Sequence, residues 1–464
     1  MHKDSDTIYA LSTAPGRAAI AIVRLSGPAV ASVIQELLVQ DLPQAKKASL
    51  KKIYDPSDGE VVDVALVLWN PGPGSFTGQD MAEFHLHGGR AVVDRVLSIL
   101  DAHPSLRTAE AGEFTRRAFD NGKLDLSEVE GLADLIDAET EAQRRLAVRQ
   151  MGGALSKQTE TWRELLLRTL AHIEAWIDFP DEDLPAGLWT EIMDQIDTLS
   201  SEIASFLEKG AGLERVRSGI KVAIIGPPNA GKSSLLNAMA QRDVAIVSDA
   251  AGTTRDVVEV HLDLAGYAVT LADTAGIRSK DEQQDPSFSM IEQEGIRRAR
   301  DQAAMADLVL VLCDASHAEI PRQISGLGGL DRRCIVVLNK SDLLAPGRAL
   351  MDEGLDERVM DSALGRFFVS AKTGEGLSVL LSNLQEIIID RFAVSNSAPA
   401  LTRARHRQAL CDCVDALSRA RQAGAPELMA EDLRLAQRAL GRITGQNDVE
   451  DLLDIIFRDF CIGK

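Results

Sequence analysis

Residues 226–233 combine glycines, a lysine and a serine at a spacing that suits phosphate binding. They read Gly226-Pro227-Pro228-Asn229-Ala230-Gly231-Lys232-Ser233, two glycines separated by four residues and followed by Lys-Ser. Such a loop aims backbone N–H groups at phosphates, sets the lysine charge against the outer phosphates and offers the serine hydroxyl to magnesium. We therefore expect a bound nucleoside triphosphate with Mg²⁺. The expected contacts are Gly226, Asn229, Ala230, Gly231, Lys232, Ser233 and Ser234.

The elements around this loop have the order that phosphate binding needs. Residues 221–225 form an apolar run that predicts a buried strand, and residues 234–240 predict a helix that leaves the loop. Three further polar segments follow, each directly after an apolar run. They are Asp273-Thr274-Ala275-Gly276, Asn339-Lys340-Ser341-Asp342 and Ser370-Ala371-Lys372. Asp273 can hold the magnesium shell, and the Gly276 N–H can sense the terminal phosphate.

The last two segments indicate which base is bound. They resemble those of the translation-factor branch of P-loop GTPases, in which Asn-Lys-x-Asp reads the base and Ser-Ala-Lys supports it. The Asp342 carboxylate can accept hydrogen bonds from the ring N–H and the exocyclic amine of guanine, and adenine offers neither. A buried carboxylate left unpaired disfavours the wrong base by roughly 10⁴-fold. We expect GTP, contacted here through Asn339, Lys340, Asp342, Ser370, Ala371 and Lys372.

The group that orients the attacking water is less obvious. Ile277 follows the glycine of the Asp273 segment, and its side chain cannot orient a water. Hydrolysis is then either slow and dependent on a partner protein, or assisted by another residue of this chain. Residues 248–256 lie where a first switch belongs, and Thr254 is placed to join Ser233 on magnesium.

The switch segment resembles that of potassium-activated GTPases. By this resemblance K⁺ would be held by Asn229, Ser248, Ala250 and Thr253, and would stabilise charge developing between the phosphates. Glu292 would orient the water; its alternative interpretation is an exposed acid on a charged helix over residues 291–300. The predicted catalytic residues in this region are Lys232, Thr254 and Glu292.

The chain of 464 residues is long enough for about three domains. Strand-like runs at 19–23, 61–69 and 83–87 predict an N-terminal α/β domain over residues 1–120. Helical spacing of apolar residues predicts one all-α domain in two parts, 121–217 and 389–464. The GTPase domain, residues 218–388, would be inserted between them. We thus predict a multidomain α/β plus all-α fold with an inserted Ras-like P-loop domain.

Composition limits the partners. The formal net charge is −20, from 70 acidic against 50 basic residues, so any RNA contact should be local, weak or shared with another protein. No apolar run is long enough to cross a membrane, and the N-terminus lacks signal-peptide form, so we expect a cytoplasmic protein. The cysteines lack the spacing of a zinc site, and a disulfide framework is not expected. They are Cys313, Cys334, Cys411, Cys413 and Cys461.

Motifs along the whole chain resemble those of the MnmE (TrmE) family of tRNA modification GTPases, which belong to the TrmE-Era-EngA-like P-loop GTPases. The motifs include Arg24-Leu25-Ser26-Gly27, Phe76-Thr77-Gly78, His87-Gly88-Gly89, Gly112-Glu113-Phe114-Thr115-Arg116-Arg117, Ala430-Glu431-Asp432-Leu433-Arg434 and the terminus Cys461-Ile462-Gly463-Lys464. The resemblance implies an aminomethyl-type modification at C5 of the wobble uridine of certain tRNAs.

It also implies an N-terminal domain that binds a tetrahydrofolate derivative, 5-formyl or 5,10-methylene, through Arg24, Glu83, Lys123 and Lys464. Arginine and lysine suit the anionic glutamate tail of a folate, and a glutamate can accept hydrogen bonds from the pterin. Cys461 has either a chemical role, in a terminal segment expected to be disordered, or the role of a buried small hydrophobe. His85 and His87 form a conceivable metal pair, although glycine neighbours favour tight packing.

Family members are expected to form a homodimer through the N-terminal domains and to act with MnmG, an FAD protein, as a heterotetramer. This chain has no GxGxxG fingerprint between a strand and a helix, so FAD is assigned to the partner. tRNA would be bound weakly or jointly with MnmG. The alternative function is a switch or assembly GTPase, for example in ribosome maturation, without modification chemistry.

Overall fold

The computed structural model describes residues 6–178, 187–210, 212–227, 229–242, 244–245, 259–273, 301, 303–316, 334–344, 364–392, 401–446, 453, 456–458, 460 and 462–463. These divide into two compact units. The first comprises Met1–Ala133, Arg149–Ala204 and Arg405–Lys464, and the second comprises Asp134–Val148 and Ser205–Ala404. The multidomain α/β plus all-α fold class is confirmed.

The first unit begins with a six-stranded sheet in the order β3-β4-β5-β2-β1-β6. The strands are β1 Thr7–Leu11, β2 Ile20–Ser26, β3 Ser49–Tyr54, β4 Val61–Asn70, β5 Met81–His87 and β6 Leu106–Thr108. Only β1 and β6 pair in parallel. The helices of this region are α1 Val30–Leu38, α2 Arg90–Asp101 and α3 Glu113–Asp120. The predicted strands at 19–23, 61–69 and 83–87 are confirmed.

The two faces of this sheet differ. One face packs Val67, Phe84 and Leu25 against the buried side chains of α1 and α2. The other, which we call the open face, carries the cross-strand row Leu50, Leu66, His85 and Ile22 and the row Leu68, Glu83 and Arg24. Leu50 is 67% exposed and Leu66 is 44% exposed. The open face therefore combines apolar side chains with a charged pair.

Long amphipathic helices complete the first unit. In the helix Ala154–Asp178 the buried residues recur every three or four positions, as packing of one helix face requires. They are Leu155, Thr159, Trp162, Leu166, Thr169 and Ile173. The helices between residues 121 and 218 are α4 Leu126–Ile136, α5 Glu141–Met151, α6 Ala154–Asp178, α7 Leu188–Lys209 and α8 Leu213–Ser218, and α8 belongs to the second unit. Helices α4 and α5 each cross a unit boundary. In the described part of the chain, no helix is both long and apolar enough to span a bilayer.

The second unit contains a sheet in the order β12-β11-β10-β7-β9-β8, in which only β8 and β9 pair antiparallel. Its elements are β7 Ile220–Ile225, α9 Lys232–Ala240, β8 Glu259–Leu264, β9 Tyr267–Asp273, β10 Leu308–Asp314, β11 Cys334–Asn339, β12 Arg366–Phe368 and α10 Leu377–Phe392. Every residue of β10 and β11 is buried, as expected for parallel strands covered on both faces. The helices α11 Ala404–Gln422 and α12 Pro426–Thr444 belong to the first unit from Arg405 onward, and they confirm helical structure after residue 401.

Candidate functional site

The phosphate loop connects the end of β7 to the start of α9, as predicted. Gly226 has φ 156°, and Gly231 has φ 94°. A Cβ at Gly226 would lie 2.1 Å from the Leu312 main-chain oxygen, and one at Gly231 would lie 2.3 Å from the Asn339 side-chain nitrogen. Only glycine permits these approaches. The loop is consequently packed against β10 and β11, with the N-terminal turn of α9 behind it.

Lys232 is held within the loop. Its Nζ donates hydrogen bonds to the main-chain oxygens of Gly226 at 2.8 Å and Pro227 at 3.0 Å, and the residue is 7% exposed. Asn229 has a left-handed backbone, φ 65°, and is exposed, as are Ser233 and Ser234 on the first turn of α9. The loop thus presents a buried ammonium and a helix N-terminus, which suit phosphates, together with hydroxyl oxygens, which suit Mg²⁺.

Asn339 joins the phosphate loop to the segment after β12. Its Nδ2 donates to the Ala230 main-chain oxygen at 2.8 Å, and its Oδ1 accepts from the Ala371 N–H at 3.0 Å. Asn339 is 1% exposed, so both bonds are shielded from water. The side chain acts as a brace between two loops, which stand far apart in the sequence.

The carboxylate of Asp342 is oriented by a neighbouring loop. Its Oδ1 accepts a hydrogen bond from the Ser370 hydroxyl at 2.7 Å. That hydroxyl also accepts from the Thr373 N–H at 3.1 Å. Ser370 is fully buried, whereas Asp342 and Lys372 are exposed. The carboxylate therefore faces solvent with a fixed direction and free lone pairs, as recognition of a planar base needs.

Asp314 is a member of this site that sequence reasoning missed. Its Oδ2 lies 2.6 Å from Lys340 Nζ, and its Oδ1 accepts from the N–H and hydroxyl of Ser316. Burial raises the pKa of the Asp314 carboxyl, but hydrogen bonds from Lys340 and Ser316 outweigh it and hold that pKa below its usual range. The sequence did contain a signal for this residue, because Asp314 directly follows the apolar residues of β10, as the other polar segments of the site follow their strands.

A second polar cluster lies on the open face of the N-terminal sheet. Arg24 Nη2 lies 2.9 Å from Glu83 Oε1, and His85 Nε2 lies 3.3 Å from Glu83 Oε2. The Arg24 guanidinium also lies over the Phe114 ring, 5.7 Å from its centroid. The structure thus brings together two of the predicted folate residues, Arg24 and Glu83. Lys123, by contrast, is exposed and lies near Gly78.

The end of the chain is docked beside this cluster. Ile462 forms an antiparallel bridge with Ala111. The Gly463 main-chain oxygen accepts hydrogen bonds from the Ser12 hydroxyl at 2.9 Å and from Arg24 Nη1 at 3.4 Å. Gly463 has φ 99°, and a Cβ there would lie 2.4 Å from the Leu11 oxygen. The expectation of a disordered terminus is wrong for Ile462 and Gly463, because backbone pairing and a close approach fix them.

His85 and His87 do not form a metal pair, and the described cysteines are buried or half-buried. His87 Nδ1 lies 2.7 Å from Asp63 rather than joining His85, and no group of three or more metal-ligating side chains occurs among the described residues. Cys313, Cys334 and Cys413 are buried and Cys411 is half-buried. Burial raises the pKa of Cys313 to about 12. Burial, followed by the charge of Asp412, raises the pKa of Cys413 to about 12.

Several predicted site residues lie outside the described part of the chain. They are Ser248, Ala250, Thr253, Thr254, Thr274, Ala275, Gly276, Glu292, Cys461, Lys464 and the side chain of Asp273. The predicted potassium ligands, the switch and the water-orienting glutamate therefore stay predictions. The described geometry covers the phosphate loop and the predicted base-reading segments.

A phosphate loop between a parallel strand and a helix, braced by the asparagine of an Asn-Lys-x-Asp segment, defines a P-loop GTPase domain. The family description "GTP-binding protein TrmE N-terminus" matches residues 7–123, and "MnmE helical domain" matches residues 126–461. The chain therefore belongs to the MnmE family of tRNA modification GTPases.

Full-length relatives agree with this assignment. A tRNA modification GTPase MnmE of Parvibaculum lavamentivorans is 50% identical over 463 residues, 99% of this chain and 100% of that protein. The MnmE of Rhodospirillum rubrum is 50% identical over 474 residues, 99% of each chain. A human mitochondrial 5-taurinomethyluridine-tRNA synthase subunit is 47% identical over 473 residues, 99% of this chain and 93% of that protein.

Proposed function

We propose that this chain is a cytoplasmic, potassium-activated GTPase that hydrolyses GTP to GDP and couples hydrolysis to tRNA modification. Together with the FAD-containing MnmG protein it installs an aminomethyl-type group at C5 of the wobble uridine, using a folate one-carbon unit. The observation that carries this proposal is the Arg24–Glu83 pair beside the docked Gly463. The pair carries charges that suit a folate, and Arg24 also contacts Gly463, which lies between Cys461 and Lys464 in the sequence.

The chemistry of the cluster fits a tetrahydrofolate derivative, 5-formyl or 5,10-methylene. A folate carries a pterin with amino and ring N–H donors and an anionic glutamate tail. Glu83 can accept hydrogen bonds from the pterin. Arg24, Lys123 and Lys464 supply positive charge for the glutamate tail. The bound folate would supply the one-carbon unit. The chain's own residues would orient it on the open face, with Cys461 as a candidate catalytic residue near its reactive end.

The open face also supports a homodimer. Leu50, Val64 and Leu66 are 67%, 41% and 44% exposed and lie on adjacent strands. A second copy covering them would remove apolar surface from water, the dominant favourable term in association. Two such chains with two MnmG subunits give the proposed heterotetramer.

The GTPase half of the proposal assigns roles to the chain's own groups. Ser233 and Thr254 would hold Mg²⁺, which would supply positive charge against the phosphates. Asn229, Ser248, Ala250 and Thr253 would hold K⁺. Lys232 stabilises the developing negative charge on the transferred phosphoryl group. Glu292 orients the water, which the aliphatic Ile277 cannot do.

The test uses cells that lack this protein. Their tRNA should lack the C5 modification of the wobble uridine, and the wild-type gene should restore it. Glu83→Gln should fail to restore the modification while the purified variant hydrolyses GTP at the wild-type rate. Glu60→Gln, an exposed acid of the same domain, is the matched control and should restore it. Fully modified tRNA in the cells without the protein would reject the proposal in favour of a switch or assembly GTPase.

A further inference from the structure

One short segment of the first unit carries several positive charges and no negative ones, although the chain as a whole has a net charge of −20. Lys46, Lys47, Lys51 and Lys52 fall within seven residues at the start of β3, and no acid occurs between residues 42 and 54. Strand β3 is an edge strand, paired only with β4. Lys46, Lys47 and Lys52 are exposed, and Lys51 is half-buried.

These lysines have no carboxylate partner in the part of the chain that the structure describes. Lys51 Nζ donates to the neutral side chain of Gln40 at 3.1 Å. Of the flanking acids, Asp41 forms no ion pair with them, and Asp55 pairs with Arg95 instead. The arginines of α11 and α12 behave differently, because Arg419, Arg421, Arg434 and Arg442 each pair with an acid. Their charge is therefore largely compensated.

The backbone that carries the lysines is fixed. The Lys46 N–H donates to the Trp69 oxygen at 2.7 Å, and the Lys47 N–H donates to the Gln44 oxygen at 3.3 Å. Lys51 lies on the α1 side of the sheet, beside Gln40, whereas Lys52 opposes Val64 on the open face. We define Lys46, Lys47 and Lys51 as the lysine edge.

We propose that the lysine edge binds the phosphate backbone of tRNA. This inference rests on the proposed function, because tRNA is the polyanion on which that function acts. A chain with net charge −20 repels a polyanion overall, so an RNA contact requires a local cationic surface. Flexible lysine ammonium groups at a fixed edge suit sequence-independent contacts to phosphates, while sequence would be read by other residues or by the partner.

The test measures binding of the full-length protein to purified tRNA as a function of KCl concentration. Lys47→Gln/Lys51→Gln should weaken binding about tenfold at low salt and lower the slope of log affinity against log salt by about 2. The matched control, Lys157→Gln/Lys209→Gln, removes two exposed lysines from α6 and α7 and should change neither. Both variants should hydrolyse GTP at the wild-type rate and unfold at the wild-type temperature.

Equal effects of the two double variants would overturn the proposal, since only net charge would then matter. A Lys47→Gln/Lys51→Gln protein that binds tRNA normally but elutes as a monomer would also overturn it, because the edge would then join two copies of the chain. If the wild-type protein binds no tRNA at any salt concentration, this inference is wrong, and the proposed function would then require the tRNA to be held by MnmG. The first two outcomes leave the proposed function intact.

Discussion

The Asn339 side chain donates a hydrogen bond to the main-chain oxygen of Ala230 at 2.8 Å, and so ties the predicted base-reading segment to the phosphate loop. The same side chain accepts from the Ala371 N–H. The phosphate-binding and base-reading parts of the site therefore share one buried brace. We expect loss of this brace to weaken nucleotide binding without any change in the groups that contact the phosphates.

Asn339→Ala should lower the affinity for GDP and GTP about 10- to 100-fold. The substitution leaves a buried carbonyl and a buried N–H unpaired, each of which costs about 1–3 kcal/mol. Titration calorimetry measures the effect. Ser341→Ala is the control in the same segment, because the Ser341 hydroxyl has no hydrogen-bond partner in the described structure, and it should bind as the wild type does. Unchanged affinity in Asn339→Ala would show that the brace does not matter.

GTP turnover should rise sharply when potassium replaces sodium, because K⁺ would stabilise charge developing between the phosphates. Asn229→Ala should remove most of this response. Asn229→Gly should do the same, and it suits the left-handed backbone at this position, φ 65°, so strain is not the cause. Asn237→Ala, at an exposed position of α9, should keep the response. Equal wild-type rates in both salts would contradict the potassium assignment.

Glu130 should be essential for the stability of the first unit. It is 1% exposed, and it lies 2.6 Å from Arg405 and 2.9 Å from His406. Removing one member of such a buried pair costs about 3–5 kcal/mol. Glu130→Gln should therefore lower the urea midpoint strongly. Glu141→Gln, which removes an exposed ion-paired carboxylate, should change it little. A small effect of Glu130→Gln would contradict this account.

The same carboxylate predicts a pH dependence. Burial raises the pKa of Glu130, but hydrogen bonds and charges of His406 and Arg405 outweigh burial and lower it to about 2 from 4.5. Because the pKa of Glu130 is lower in the folded protein than in the unfolded chain, its ionised carboxylate stabilises the fold at pH values above the pKa of the unfolded chain. That stabilisation is lost as the pH falls from 4.5 towards about 2. Below pH 4.5 the wild type should lose stability more steeply than Glu130→Gln, as urea denaturation would measure.

Local patterns in the sequence were enough to predict much of the fold. The apolar run before Gly226 and the glycine spacing predicted β7, the phosphate loop and α9. The apolar, β-rich run over residues 61–69 predicted β4. These features depend only on residues that are close in the sequence. The spacing of apolar residues and the positions of glycines can therefore be read from the sequence directly.

Contacts between distant residues could not be predicted in this way. Lys340 pairs with Asp314, 26 positions away, because β10 and β11 lie side by side and end at the same edge. Gly463 meets Ser12 across 451 positions. No local pattern encodes either contact. The resemblance to a family suggested that Arg24 and Glu83 belong to one site, but their pairing depends on the register of β2 and β5.

Recognition of guanine by the Asp342 carboxylate is the central claim, and exchange of that side chain tests it most directly. Xanthine replaces the exocyclic amine of guanine with a carbonyl, which the amide of an asparagine can pair with and a carboxylate cannot. Asp342→Asn should therefore lose about 10²- to 10⁴-fold in affinity for GDP and gain affinity for xanthosine diphosphate, as measured by calorimetry. Unaltered GDP binding by Asp342→Asn, or a wild-type preference for adenosine nucleotides, would contradict the central claim.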